Sequence, residues 1–511
     1  FYSMQLDYSY SKFQYYNNQH KYNTFDYGHV GTFNTARQPI FALGEDSVTG
    51  QTAWMLQGYQ DTSFTFIPGE TNPVLANYVS SYYDIMEEAP NSFTDVWMDG
   101  AFINGGSMGN LYSLYNEVGS QINYYTWSES EQYRLTLSGN VDLNFRGKGD
   151  KADSVYTHAL SLGLEYEQRL ERDYEANTYR DMWSLMRQLT NRHISDLDLD
   201  NPLFVSGPNY DTVYYNRKYN AGDQSFFDQN LRKSLGLNTT GTDFIDIDAL
   251  DPSTFSLDMF APDELFGNGN HYVFYSGYDH TGEKLTTNPS FYDFWTAKDS
   301  EGNYTRPIPA NAPIYSAAYI QDNFRINDLL LNIGLRVDRY DANSKVLKDP
   351  YSLYAIRGAG DVSTLNGLDY IHPENIGNNY AVYVDDMDNP SSIAGYRNGD
   401  IWYDANGVEV SNPELIAQAS NTGYITPYLV NSEDDIKSED FDPTTAFKDY
   451  DPAITVMPRV QFRFRLKEDA LFFAHYDVLA ERPKGGASGG LMGPANAVSA
   501  YEYYYLQERA T

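Results

Sequence analysis

Cysteine is absent from this chain, which excludes a disulfide scaffold, a thiolate zinc site and a cysteine nucleophile. No run of about 18 apolar residues occurs, so no transmembrane helix is expected. Cationic residues are scarce. Against 70 Asp and Glu stand 35 Lys and Arg, giving a formal net charge of −35. Nucleic acid is therefore not an expected partner, because phosphate contacts need Lys and Arg. The eight His residues form no HExxH or paired spacing for zinc, and no GxSxG elbow occurs. No catalytic residue is assigned, and the chain is read as a non-enzyme. No signal peptide opens it either.

Aromatic side chains are abundant instead. They make up 16% of the chain, with 47 Tyr and 27 Phe, although the mean hydropathy is only −0.56. Disordered chains are depleted in aromatics, and tyrosine suits surfaces that are part apolar and part wet, membrane interfaces included. From Tyr133 to Phe145 the chain alternates without error. Tyr133, Leu135, Leu137, Gly139, Val141, Leu143 and Phe145 share one face; Arg134, Thr136, Ser138, Asn140, Asp142 and Asn144 share the other. Ordinary strands run about 5–6 residues, and a tilted strand crossing a bilayer needs about 9–11. This one is long enough to cross.

Similar strands form hairpins. Tyr133–Phe145 pairs with about Thr157–Arg169, across a turn containing Gly147, Lys148, Gly149 and Asp150. A second hairpin spans about Ile314–Tyr340 and turns at Asn327-Asp328. A third spans about Arg459–Val478 and turns at Lys467-Glu468-Asp469. The chain opens inside another alternation, with Tyr2, Met4, Leu6, Tyr8 and Tyr10 on one face. It closes in an aromatic run, Tyr501 to Leu506, and reads as an internal piece of something longer. Between the hairpins lie very long connections, 13–116, 171–312 and 341–457. Loops beyond about 12–15 residues are uncommon in compact soluble domains, whereas outer-membrane barrels join strands by short periplasmic turns and long extracellular loops. The expected fold is all-β: a transmembrane antiparallel β-barrel, with residues 1–511 supplying part of it and the three long connections forming structured extracellular loops.

Those loops hold most of the acid, including Asp385-Asp386-Met387-Asp388 and Glu433-Asp434-Asp435. Solvated loops are the simpler reading of the charge and a cation-attracting surface the sharper one. Asp181–Ile194 carries a helical stripe of Met182, Trp183, Leu185, Met186 and Leu189, a short helix packing within a loop. All 6 Trp residues (Trp54, Trp97, Trp127, Trp183, Trp295 and Trp402) fall in or beside the long connections. Asp196, Asp198 and Asp200 are spaced to share one side if extended, where their oxygens could hold Ca²⁺. They lack the glycine and terminal glutamate of an EF-hand loop, and acidic solvation is the competing reading. The same two readings apply to Asp243, Asp246, Asp248 and Asp251, where Ile245 and Ile247 add a strand-like alternation. No cofactor is otherwise expected. Gly485–Gly490 with Gly493 resembles a phosphate loop only in its glycines, since no lysine follows.

Several segments carry a further signal: Tyr315-Ser-Ala-Ala-Tyr-Ile-Gln-Asp-Asn-Phe324, Leu331-Asn-Ile-Gly-Leu-Arg-Val-Asp-Arg-Tyr-Asp341 and Phe472-Phe-Ala-His-Tyr476. Pro458-Arg459, Arg482-Pro483, Leu162-Gly-Leu-Glu-Tyr-Glu-Gln-Arg169 and Trp183-Ser-Leu-Met-Arg-Gln-Leu189 add to them. Together, in this order, they resemble the TonB-dependent outer-membrane receptors of the Bacteroidota type, in particular the SusC-like group carrying a carboxypeptidase-regulatory-like domain. The resemblance implies a barrel of about 22 strands with an N-terminal plug. It also implies uptake of a large or scarce nutrient, such as a metal chelate, cobalamin, glycan or peptide. About eight barrel strands are read here; plug, TonB box and closing C-terminal strand are not found. Lipid of the outer membrane is then a partner, as are TonB, ExbB and ExbD through regions outside this segment, and surface lipoproteins or other outer-membrane proteins at the loops. The competing functions are a structural or assembly subunit of a larger outer-membrane complex and a surface glycan-binding enzyme or lectin whose Trp and Tyr stack on sugars, against which the unusually long strands argue.

Overall fold

The computed structural model describes residues 1–46, 49–85, 95–96, 103–105, 124–146, 155–177, 180–266, 272–418, 420, 423–467 and 470–480. The expected turns at Gly147–Asp150 and Glu468-Asp469 lie outside these residues, as do Trp97, Arg482-Pro483, the glycine run at 485–493 and the aromatic run at 501–506. Among the described residues no helix is long and apolar enough to cross a membrane.

The chain is all-β in its framework. The longer strands are β1 (Tyr2–Tyr15), β2 (Gly31–Glu45), β3 (Thr52–Pro68), β4 (Tyr124–Arg146) and β5 (Val155–Asn177). After the short β6 (Leu203–Val205), β7 (Thr212–Tyr214) and β8 (Val273–Ser276) come β9 (Ile314–Ile326), β10 (Leu329–Asp341), β11 (Ala453–Lys467) and β12 (Ala470–Asp477). An antiparallel sheet runs β1-β4-β5-β9-β10-β11-β12, with β8 added to the upper end of β5. It does not close on itself among the described residues, and β1 and β12 are its edges.

The first hairpin is longer than its alternation foretells. β4 and β5 are each 23 residues and stay in register from Tyr124↔Asn177 to Arg146↔Val155. Above Tyr133 the apolar stripe gives way to Glu131 and Glu129, so periodicity ends while backbone pairing continues. Asn327 takes the left-handed conformation at the β9–β10 turn, as the two-residue connection there requires. Connection 13–116 is not all loop: β1 runs to Tyr15, and β2 and β3 form a long hairpin within it, extended by β7 and β6.

The three long connections fold onto one another at the end of the sheet away from the short turns. A single apolar core takes Phe25 and Tyr27 from the first, Trp183, Phe227 and Phe260 from the second, and Leu353, Ile436 and Phe447 from the third. The helical stripe read at Asp181–Ile194 becomes α2 (Arg180–Leu189), which follows α1 (Pro73–Ile85) in the chain. Met182, Trp183 and Met186 are wholly buried, and Asn191 at φ 65° ends the helical path before a short 3₁₀ turn. α3 (Phe226–Ser234) is capped by the Ser225 hydroxyl, which accepts from the Asp228 amide at 2.9 Å. A separate five-stranded sheet within 381–427 packs Trp402 against Tyr383 and Ile416.

One buried ion pair ties the connections together. Arg187 of α2 donates twice to Asp248, each bond 2.7 Å, and once to the Asn104 carbonyl at 2.6 Å. Asn104 donates back to Asp248 at 3.1 Å and accepts from the Val30 amide at 2.8 Å. Asp248 is therefore a structural anion. The strand alternation read at Ile245 and Ile247 is not realised; Ile247–Ala249 is a 3₁₀ turn and both isoleucines are buried. The burial that makes Asp248 useful penalises its neighbour. Burial, and then the Asp248 charge, push the Asp246 carboxyl up to about 6. A folded value above the unfolded one means stability is fully present below about pH 4 and is lost as pH rises through 6. Asp246→Asn keeps the capping oxygen and removes the penalty. The variant is expected to be more stable than wild type above pH 6.5 by about 1 kcal/mol after solvent screening, and no more stable than wild type at pH 4. Thermal unfolding at the two pH values measures this, and a gain of equal size at pH 4 would contradict the assignment.

Candidate functional site

The outstanding surface is one face of the sheet. Cross-strand register assembles it in rows: Met4, Leu137, Leu164, Ala318, Val337 and Val456 in one, and Tyr2, Gly139, Leu162, Ile320, Leu335 and Pro458 in the next. Alternation puts every second residue of each strand on this face, so five of the six members of the first row are large or branched apolar residues. Nothing among the described residues covers them: Leu164, Ile320 and Val456 are about half exposed. The shallow grooves between strands are lined by the same residues, among them Leu6, Tyr8, Leu135 and Tyr166. Soluble monomers rarely expose contiguous apolar patches larger than a few hundred Å².

The face has a definite height. From Tyr133 to Phe145 a strand advances about 40 Å at about 3.4 Å per residue. At the tilt of about 45° used by membrane strands this stands about 28 Å tall, close to the apolar band of about 25 Å on outer-membrane barrels. Its upper margin is charged. On the same face, Lys12 reaches Glu129 at 3.1 Å, Lys284 reaches Glu129 at 2.9 Å, and Arg172 reaches Glu131 at 2.6 Å. Arg339 and Asp341, 2.8 Å apart, continue the line on β10. Tyr8 and Tyr133 lie just below, with ring centroids 5.2 Å apart. A charge costs about 2–4 kcal/mol at a bilayer midplane and about 0–1 near an interface, which is where a paired charged row and a tyrosine belt belong.

Above that line the same face is no longer bare. Trp127 stacks on Tyr174 at 4.5 Å, and the Tyr125 and Thr24 hydroxyls are 2.8 Å apart. Gly282 at φ 90° lies over Trp127, where a Cβ would come within 2.9 Å of the indole. Thus the long connections cover the sheet above the ion row and leave it open below. His158 and Asp322 interrupt the apolar face near the short turns; they pair with each other at 2.7 Å.

The opposite face is polar and internally paired. Arg134 meets Glu165 at 2.5 Å, Arg169 meets Glu167 at 3.0 Å, and Arg459 meets Asp477 at 2.7 Å. Arg336 donates to Asp338 and to the Tyr315 hydroxyl, both at 2.7 Å, and that hydroxyl donates to Asp338 at 2.6 Å. A sheet with one such face needs water on that side and apolar matter on the other.

Asp196, Asp198 and Asp200 do not gather into a site with other carboxylates or imidazoles; among the described residues no group of three such side chains is placed to hold a metal. The Asp198 carboxylate accepts from Asn201 at 2.8 Å, a local turn contact. Of the tryptophans, Trp183, Trp295 and Trp402 are buried in cores and Trp127 is stacked, which leaves Trp54 as the exposed one among the described residues. The ion row was legible in sequence as Glu129 and Glu131 standing at the positions the apolar stripe would next occupy. The Arg187–Asp248 pair had no local signal. Comparison with known proteins returned no matching family model, no matching curated protein and no matching solved structure.

Proposed function

We propose that this chain forms part of the wall and the extracellular crown of a TonB-dependent β-barrel receptor in a bacterial outer membrane, importing a large or scarce nutrient. The observation that carries the membrane reading is the uncovered apolar face of bilayer height, bounded by a charged row on the crown side and by short turns on the other. The one-sided crown supports an extracellular role for the long connections, and the sequence resemblance supplies the receptor class. Transport would use the polar face as lumen wall, with TonB engaged outside this segment.

Reconstitution tests the membrane step. Bromine-labelled lipids should quench a tryptophan placed at Leu164 or Leu335 most strongly when the bromine sits near the bilayer centre. Absence of depth-dependent quenching would refute insertion. Uptake is tested by deleting the gene and growing the strain on limiting metal chelates, cobalamin, glycans and peptides; loss of growth on one of them is the expected result. A lumen sealed by a lateral protein partner, with uptake of all four intact, would favour the structural-subunit reading.

A further inference from the structure

We propose that His193 is a proton-operated latch: in mild acid its imidazole takes up a proton and the corner between α2 and α3 opens. The latch belongs to the crown, and it holds whether or not the apolar face of the sheet meets lipid. His193 lies in the short 3₁₀ turn Arg192–Ile194, just after the left-handed Asn191, and its side chain is wholly buried. Arg192 and Ser195, which flank His193 and Ile194, are exposed. The ring therefore points inward from a turn at the surface, and that turn can carry it out to water.

Among the described residues, the carboxylate facing the ring is Asp228 of α3. Its Oδ2 stands 3.5 Å from Nδ1, and no hydrogen bond joins them. That carboxylate is already committed. Oδ2 accepts from Arg232 at 2.7 Å and from Gln224 at 2.9 Å, and Oδ1 accepts from the Asn191 amide at 3.0 Å. Arg232, also wholly buried, donates onward to the Asp243 carbonyl at 2.8 Å. Tyr219 meets the imidazole in a T-shaped contact at 5.5 Å, and its hydroxyl donates away from the ring, to Gln224 at 2.9 Å. The Gly241 backbone is a further polar neighbour.

While His193 is neutral the cluster balances, one buried anion against one buried cation. A proton on the ring sets two cations against that one anion, and a buried charge without a partner is costly. Among the described residues neither ring nitrogen has a hydrogen-bond partner, so the imidazolium would hold an N–H with no acceptor. Burial above all, and the Arg232 charge, hold the imidazole below its usual value, against the pull of Asp228 and the Gly241 backbone. The unfolded chain then takes up the proton first, and stability is lost as pH falls below about 6.5. Opening relieves the charge by moving the ring to water. It also parts what Asp228 joins, the end of α2 through Asn191 and the start of α3 through Gln224. His29 and His280 are differently placed. Asp251, Asp26 and Asp248 act on the first and Asp279 and Asp258 on the second, so a proton there meets more negative charge.

Hydrogen exchange read by mass spectrometry, on the full chain in lipid nanodiscs, tests the latch. After correction for the intrinsic pH dependence of exchange, segments 186–196 and 224–234 should lose protection about tenfold between pH 7.5 and pH 5.0, and regain it on return. The loss should not exceed about tenfold per pH unit, the limit for one proton. Segment 133–145 should keep its protection. His193→Phe and His193→Gln cannot take up the proton, and their corner should be equally protected at both pH values. Asp246 cannot produce such a loss, because its raised carboxyl favours the folded chain in acid. Unchanged wild-type protection at pH 5.0, an equal acid loss in a variant that is protected at pH 7.5, or a loss shared by 133–145 would overturn the proposal. If both variants are already open at pH 7.5, the wild-type profile decides. A reversible one-proton loss confined to the corner supports the latch, and its absence sinks it.

Discussion

Leu164→Arg is expected to cost the bilayer-inserted protein about 2–4 kcal/mol, a loss of roughly 30- to 1,000-fold in the folded, inserted population. Leu164 sits at the centre of the apolar rows and is already 54% exposed in the isolated chain. That exposure makes the prediction discriminating. A surface leucine facing water tolerates arginine within about 0.5 kcal/mol, because such substitutions neither open a cavity nor strand a charge. A leucine facing lipid does not, because the guanidinium would have to be drawn into hydrocarbon. Tyr10→Arg, beside the Lys12–Glu129 row, should cost no more than about 1 kcal/mol, since the penalty falls towards the interface. Urea unfolding in lipid vesicles, run on both variants and on wild type, gives the two differences. Equal costs at the two positions would contradict the placement of the bilayer.

Breaking the Arg187–Asp248 pair should be the second large effect. Either Arg187→Ala or Asp248→Ala leaves a buried partner unneutralised, and losses of about 3–5 kcal/mol are typical of such truncations. The Asp248 side chain is almost wholly buried, so water cannot replace the lost guanidinium. In Arg187→Ala the Asn104 carbonyl would lose a donor as well, and with it one of the ties between the first connection and α2. The damage should be local to the crown. Limited proteolysis should cut within 180–266 in both variants, while the β4–β5 hairpin stays protected below the ion row. The double variant should lose less than the sum of the two single losses, because removing both charges leaves no stranded ion. Strict additivity would mean that the two residues act independently.

Much of the framework could be read from alternation, for a simple reason. A strand with one apolar and one wet face must place every second residue alike, and that period survives in the linear chain. Tyr133–Phe145, Leu329–Val337 and the opening run from Tyr2 are paired in the sheet as their patterns imply. The stripe of Met182, Trp183 and Met186 is likewise a helix packed inside the crown. The β2–β3 hairpin leaves no clean alternation in the sequence, because two register shifts, at Ala36/Arg37 and Ile40/Phe41, break its period. The aspartates from Asp243 to Asp251 were open to a strand or a cation reading. Long-range contacts made with Arg187 and Asn104, distant in sequence, decide the role of Asp248.

By itself, then, the sequence determined the strand class, the two-faced character of the sheet and the contrast between short turns and long connections. All three follow from local periodicity and spacing. Tertiary structure alone decided which part of the apolar face stays bare. Trp127 and Tyr125 belong to the same face of β4 as Leu135 and Leu137; Glu129 and Glu131 mark a break between them in the sequence, but nothing local says which side of that break is covered. The folded connections cover the upper pair through Tyr278, Thr24 and Gly282 and stop at the charged row. Below it the apolar residues have no partner within the described chain, because the elements that could cover them are already committed to one another.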